Sequence, residues 1–277
     1  YKAEVPLSYT YETEDYQLVI EGRADGIIDV QGEIPMIDEI KGTYKDLDKL
    51  KKPMPLHLEQ AKCYAFMYAA RKEKAFMHVQ MTYCNLDTEE IKYFTYDFTF
   101  EELKEWFMNV FLEYKKWTDF VYQWKKLRQN TIKAIHFPFP YREGQKELVT
   151  GVYHTIYHQR KLFIEAPTGV GKTISTIFPS LKAIGENRAD KLFYLTAKTI
   201  TRTVADDTLE LLREQGLRCK SVILTAKDKI CFCGETQCNP VACPYAKGHF
   251  DRVNEAIFDL INNEDRFCRE VIEKYAR

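Results

Sequence analysis

The segment FIEAPTGVGKT (Phe163–Thr173) decides how this chain is read. An apolar run ends in a loop with glycines at 169 and 171, and Lys172 and Thr173 open a helix-forming stretch, KTISTIFPSLKAIG. Glycine lets a backbone come close to a phosphate, and the N–H groups that start a helix face an anion. In such a loop Thr168, Gly169, Val170 and Gly171 offer backbone N–H groups. Lys172 reaches the β and γ phosphates of ATP, and Thr173 ligates the Mg²⁺ that comes with it. Ala166 stands where the usual pattern has its first glycine.

Outward from the loop, helical and strand patterns alternate. A helical run at 145–159 precedes an apolar strand at 161–166. The helix at 172–185 leads to a strand at 191–197, a helix at 202–216 and a strand at 220–226. That alternation predicts a parallel α/β sheet. The connector HFPFPYREGQ (136–145), rich in Pro and aromatics, separates it from a different texture upstream. We therefore expect two domains, 1–135 and 136–277.

Composition limits the class. The chain has 277 residues, 45% hydrophobic and 29% charged, with a formal net charge of −1. No apolar run reaches the ~18 residues of a membrane helix, and no secretory leader pattern opens the chain, so cytoplasm is the expected location and no membrane partner is expected. With so little net charge, nucleic acid would have to be met by local basic grooves. Eight cysteines occur, and Cys231, Cys233, Cys238 and Cys243 fall within 13 residues, in the spacing C-x-C-x₄-C-x₄-C. Clustered thiolates bind zinc or iron–sulfur, and this spacing is irregular for zinc.

Upstream, DYQLVIEGRADGIIDV reads as strand, Gly-containing turn and strand, with Asp25 in the turn. PMIDEIKGT reads as a short strand. PLHLEQAKCYAFMYAARK (55–72) has helical spacing. KAFMHVQMTYCN and IKYFTYDFT read as paired strands, and 99–129 as a long amphipathic helix. In IPMIDEIK, Glu39 and Lys41 stand two apart on a strand and so share a face. An antiparallel neighbour would bring Asp25 beside Glu39. Two carboxylates hold Mg²⁺ or Mn²⁺ through oxygen, and a nearby lysine orients the attacking water. Gln60 and Tyr64, four apart, lie one above the other on the helix. His57 reads as a helix-start surface residue outside this set. The stretch EYKKWTDFVYQWKKLR fits either stacking on single-stranded DNA or core packing with a solvated lysine face.

Two resemblances follow from these residues. APTGVGKT with YREGQ resembles the superfamily 2 helicases, and the Cys-rich insertion ending in CPY is similar to that of the XPD/DinG iron–sulfur helicases. This resemblance implies a partial P-loop (RecA-like) domain. It places Gln145, with Arg142, at the adenine, and Thr196 and Lys198 at single-stranded DNA. Cys231, Cys238 and Cys243 become ligands of a [4Fe–4S] cluster, with Cys233 or Cys268 as alternates. It also implies 5′→3′ polarity. No apolar strand ending in Asp-Glu follows Thr173, so we expect a segment that ends inside helicase domain 1. Second, D…E-x-K followed by Q-x₃-Y resembles the RecB-like PD-(D/E)XK nucleases. It implies a mixed α/β domain in which Asp25 and Glu39 ligate metal, Lys41 is catalytic, and Gln60 and Tyr64 shape the site. The expected whole is an α/β protein, nuclease-like then helicase-like, acting on DNA, with repair as its setting. A non-catalytic DNA-gripping module and a zinc-stabilised P-loop regulator remain as alternatives.

Overall fold

The computed structural model describes residues 1–197, 199–234 and 237–276. The chain divides into two compact units, Tyr1–Lys116 and Trp117–Arg277.

The first unit is built on one mixed five-stranded sheet in the order β1-β2-β3-β4-β5. Strands β1 (Lys2–Glu12), β2 (Gln17–Ile28) and β3 (Met36–Thr43) pair antiparallel. Helix α1 (Pro55–Lys72) then crosses over to β4 (Phe76–Asn85), which lies parallel to β3 and antiparallel to β5 (Ile91–Thr99). The alternation of β3 sends Ile37 into the core beneath α1. Ala61, Ala65 and Ala69, four apart on α1, are all 0% exposed, so the helix backbone rides close to the sheet. Phe66 of α1 stacks on Phe107, whose ring meets Tyr9 of β1 edge-on. Phe107 belongs to α2 (Phe100–Ala134), the long helix expected from the sequence. Pro55 occupies the first turn of α1, where its missing N–H leaves no bond unmade. Glu73, at φ 52, ends the helix.

One expectation changes here. Asp25 does not lie in a turn. Residues 17–28 form a single strand held on both sides, by β1 and by β3. Gly26, within the stretch expected to turn, is paired with Ala3 on one edge and Asp38 on the other. Tertiary pairing overrides the local turn signal.

The second unit contains the C-terminal part of α2, then α3 (Gln145–Tyr157), α4 (Lys172–Gly185), α5 (Thr199–Glu214), β6 (Ser221–Val222), α6 (Lys227–Ile230), α7 (His249–Asn263), β7 (Arg266–Phe267) and α8 (Arg269–Ala276). Its core joins Ile132, Ile177, Leu181, Ile184, Leu212 and Leu217. The expected parallel sheet is not formed among the described residues. Segments 161–166 and 191–197 form no strand among the described residues, and 220–226 contributes only the two-residue β6, parallel to β7. A central parallel strand is buried on both faces and bonded on both edges. Here Phe163 is 93% and Leu195 89% exposed. Leu162, Ile164, Leu192 and Phe193 line a shared hollow of about 390 Å³ beside α3 and α4 instead of closing on each other.

The aromatic stretch of α2 is used for packing. Trp117 and Phe120 meet Phe258 of α7 edge-on. Lys220 lies 3.8 Å over the Trp124 ring and pairs with Asp265 at 3.0 Å.

Candidate functional site

In the first unit the ladder between β1 and β2 skips one pair, Glu4 with Asp25, and Glu4 takes the left-handed value φ 55. Irregularities of this kind re-aim a side chain. Asp25 Oδ2 accepts the backbone N–H of Ile40 at 2.8 Å, so its carboxylate lies against β3 just beyond the last β2–β3 pair, Gly26 with Asp38. Continuing that register by one residue sets Asp25 opposite Glu39.

Glu39 is 1% exposed. Lys41 Nζ donates to Glu39 Oε1 at 2.6 Å and to Gln60 Oε1 at 3.2 Å, and Gln60 Nε2 donates to the Tyr64 hydroxyl at 3.1 Å. Strand β3 and helix α1 are thus joined in one line: carboxylate, ammonium, amide, phenol. The aromatic end of the line fits because residue 22 of β2 is glycine. A Cβ there would stand 2.5 Å from Tyr64 Cε1. The structure brings Glu39, Lys41, Gln60 and Tyr64 into one bonded set and places Asp25 within electrostatic reach of Glu39.

The second oxygen of Glu39, Oε2, is buried and has no hydrogen-bond partner. Burial pushes the Glu39 carboxyl above its ordinary range. Lys41 pulls it back, and the charges of Asp25 and Asp38 push the same way as burial. A buried, unpartnered carboxylate oxygen beside a second carboxylate is the donor chemistry of a hard divalent cation. Among the described residues, no group of three or more His, Cys, Asp or Glu is placed to hold a metal ion. Asp25 and Glu39 form a two-carboxylate set, which suits Mg²⁺ because that ion keeps several waters or substrate oxygens. On the other face of the sheet, Asp38 is fully engaged by Thr82 at 2.5 Å, Gln80 at 3.3 Å and Tyr1 at 3.3 Å.

From its place at the helix start, His57 is expected at the surface. The structure corrects this. His57 is half-buried, and its Nδ1 lies 2.9 Å from the hydroxyl of Tyr83. Tyr83 is the β4 residue paired with Lys41. The helical spacing of His57, Gln60 and Tyr64 was the available signal.

In the second unit, Gly169 and Gly171 take φ 86 and 78, values an L side chain rarely adopts. They turn the chain so that α4 starts at Lys172. Lys172 Nζ donates to the carbonyls of Ala166 and Pro167, both at 2.9 Å, and so spans the mouth of its own loop. Thr173 Oγ1 accepts the Tyr194 hydroxyl at 3.4 Å. Gln145, 3% exposed, ties the loop to the connector: its Oε1 accepts Arg142 N–H at 3.0 Å and its Nε2 donates to Val170 O at 2.9 Å. The Arg142 guanidinium donates to Gly169 O. Thr168 completes the loop. Lys198 lies outside the described residues.

The clustered thiols make contacts with one another and with a lysine. Cys233 and Cys243 have their sulfurs 3.9 Å apart. The Cys238 thiol meets the Lys227 ammonium. Cys268 sits apart, against Glu270. Cys233 also bonds Cys231, and Lys227 is within electrostatic reach of Cys231, Cys238 and Cys243, while among the described residues no group of three or more His, Cys, Asp or Glu is placed to hold a metal ion. Thiol donors of this kind suit a thiophilic metal. No helix among the described residues is long and apolar enough to cross a membrane.

No protein-family model matches the chain. A solved crystal structure, that of SSO0001, is 21% identical with a TM-score of 0.27, covering 35% of this chain and 41% of the other, a likeness too low to support a statement about fold. Over 46 residues, 16% of this chain, the sequence is 48% identical to the probable ATP-dependent helicase MJ0942 of Methanocaldococcus jannaschii, and that stretch spans 7% of the relative. Over that short stretch, this chain is similar to a protein described as an ATP-dependent helicase.

Proposed function

We propose that the chain carries two phosphodiester-handling sites: a metal-dependent nuclease site in the first unit and an ATP-binding loop of helicase type in the second. The observation that carries the nuclease reading is the bonded line Glu39–Lys41–Gln60–Tyr64, with the unpartnered Glu39 oxygen at its end. Asp25 and Glu39 would hold Mg²⁺ or Mn²⁺, which supplies Lewis-acid charge to a phosphate oxygen of DNA when bound. Lys41, fixed between Glu39 and Gln60, orients the attacking water and balances the charge that builds on phosphorus. Gln60 sets the direction of the Lys41 amine, and Tyr64 holds Gln60.

In the second unit, residues 168–173 would take ATP with Mg²⁺ on Thr173, with Lys172 leaving the Ala166 and Pro167 carbonyls for phosphate. Gln145 and Arg142 couple that loop to the connector. The short likeness to a probable ATP-dependent helicase supports ATP and DNA as partners. The iron–sulfur type, the 5′→3′ polarity and a role in DNA repair rest on the sequence resemblance and are part of this proposal. For the [4Fe–4S] cluster, anaerobic purification gives brown protein absorbing near 400 nm, and colourless zinc-loaded protein removes that element.

The test is cleavage of end-labelled single-stranded and duplex oligonucleotides with Mg²⁺ or Mn²⁺. Wild type cuts, and Lys41→Ala loses roughly 10²–10⁴-fold, as for removal of a proton-handling or charge-balancing group. Binding without cleavage identifies a gripping module, and equal cutting by Lys41→Ala defeats the assignment.

A further inference from the structure

His57 has a place in the first unit that no part of the E-x-K and Q-x₃-Y pattern assigns. It opens the face of α1 that continues, three and seven residues on, with Gln60 and Tyr64, so the three side chains form one stripe. The stripe lies over β3 and β4. At its N-terminal end His57 meets Tyr83, and Tyr83 is paired across the sheet with Lys41. The imidazole therefore stands beside the ammonium that joins Glu39 to Gln60.

The hydrogen bonds set the form of the ring. The Tyr83 hydroxyl oxygen accepts the backbone N–H of Met54 at 3.0 Å. Tyr83 is 3% exposed, so its hydroxyl proton needs an acceptor inside the protein. His57 Nδ1, at 2.9 Å, is that acceptor. If Nδ1 carried the proton instead, the buried tyrosine proton would be left unpaired. The tautomer with hydrogen on Nε2 follows. Nε2 has no hydrogen-bond partner among the described residues, which leaves a fixed N–H donor on a half-exposed ring. Burial and the Lys41 charge both disfavour the imidazolium, so the ring is held neutral.

We propose that His57 is a substrate-binding residue of the nuclease site, donating its Nε2–H to a phosphate oxygen of the strand held at Glu39 and Lys41, with Tyr83 as the positioning residue that fixes its tautomer. The assignment rests on the nuclease reading and adds a donor beside Lys41 to the contacts that hold the strand. A neutral donor suits that place because Lys41 already supplies the positive charge. A second cation there would repel it.

Two measurements test this on the whole chain. The first compares wild type, His57→Ala, His57→Gln and Lys41→Ala for cleavage of a single-stranded oligonucleotide in Mn²⁺. His57→Ala raises KM roughly tenfold or more, the loss expected for a hydrogen bond to a charged group, with a smaller change in kcat. His57→Gln, whose Nε2 keeps an N–H near the same position, recovers most of it. Equal kinetics for His57→Ala and wild type, with Lys41→Ala inactive, overturns the His57 assignment and leaves the nuclease reading standing. No cutting by wild type removes both. The second measurement is the ¹H–¹⁵N correlation pattern of His57. It shows the Nε2–H tautomer in wild type and a mixture in Tyr83→Phe. An Nδ1–H pattern in wild type overturns the assignment even where a variant fails to fold.

Discussion

Replacing Glu39 by Gln separates what the fold needs from what the site needs. The glutamate is 1% exposed, and one of its oxygens has no partner. A buried oxygen left unsatisfied costs about 1–3 kcal/mol, and Asp25 and Asp38 add repulsion. Against this, the substitution weakens the 2.6 Å pair with Lys41, whose side chain is 23% exposed and partly screened, a loss of about 1 kcal/mol. Glutamine keeps a polar atom at the unpartnered position, so the substitution relieves only the buried charge and its repulsion, which offsets the weakened Lys41 pair and leaves Glu39→Gln within about 1 kcal/mol of wild type. The dependence on pH has a definite sign. A carboxyl whose folded pKa is raised stabilises the fold most below its ordinary range, and that contribution is lost as pH rises through the raised value. Wild type melted in a chelator therefore loses stability with rising pH across that window, and Glu39→Gln does not. Circular dichroism melts at several pH values supply the measurement. A variant less stable than wild type by more than 1 kcal/mol, or one with the same pH profile, refutes this view of Glu39.

Further predictions follow from the same contacts. Gly22→Ala drives a Cβ into the Tyr64 ring, so it breaks the Gln60–Tyr64 bond and costs about 1–3 kcal/mol by overpacking, read as a lower midpoint together with slower cleavage. Lys172→Ala removes an exposed ammonium bonded, among the described residues, to two loop carbonyls, so stability stays within about 0.5 kcal/mol of wild type while binding of a fluorescent ATP analogue is lost. Mn²⁺ affinity rises with pH, because the cation competes with the proton that burial favours on Glu39; titration calorimetry in two buffers registers the released proton.

Some of this was legible in the sequence for local reasons. The bounds of α1 and α4 coincide with the runs read from periodicity, because Pro55 marks one start and the glycine loop the other. The E-x-K and Q-x₃-Y spacings encode same-face geometry, and Lys41 does reach Gln60. What stayed hidden depends on register. That Asp25 belongs to a strand follows from pairing with Ala3 and Asp38 on either side of Gly26, which no local signal carries. His57 looked like surface because its partner, Tyr83, is 26 residues away on a strand parallel to β3. In the second unit the apolar pattern of 161–166 and 191–197 was clear, but pattern alone does not supply the neighbouring strand that pairing requires.

The central claim is that Asp25 and Glu39 hold one divalent cation beside Lys41. Electron paramagnetic resonance of Mn²⁺ titrated into the chain measures this directly. The account predicts a bound-Mn²⁺ signal that Asp25→Ala and Glu39→Gln each weaken at least tenfold; binding unchanged in both variants would contradict it.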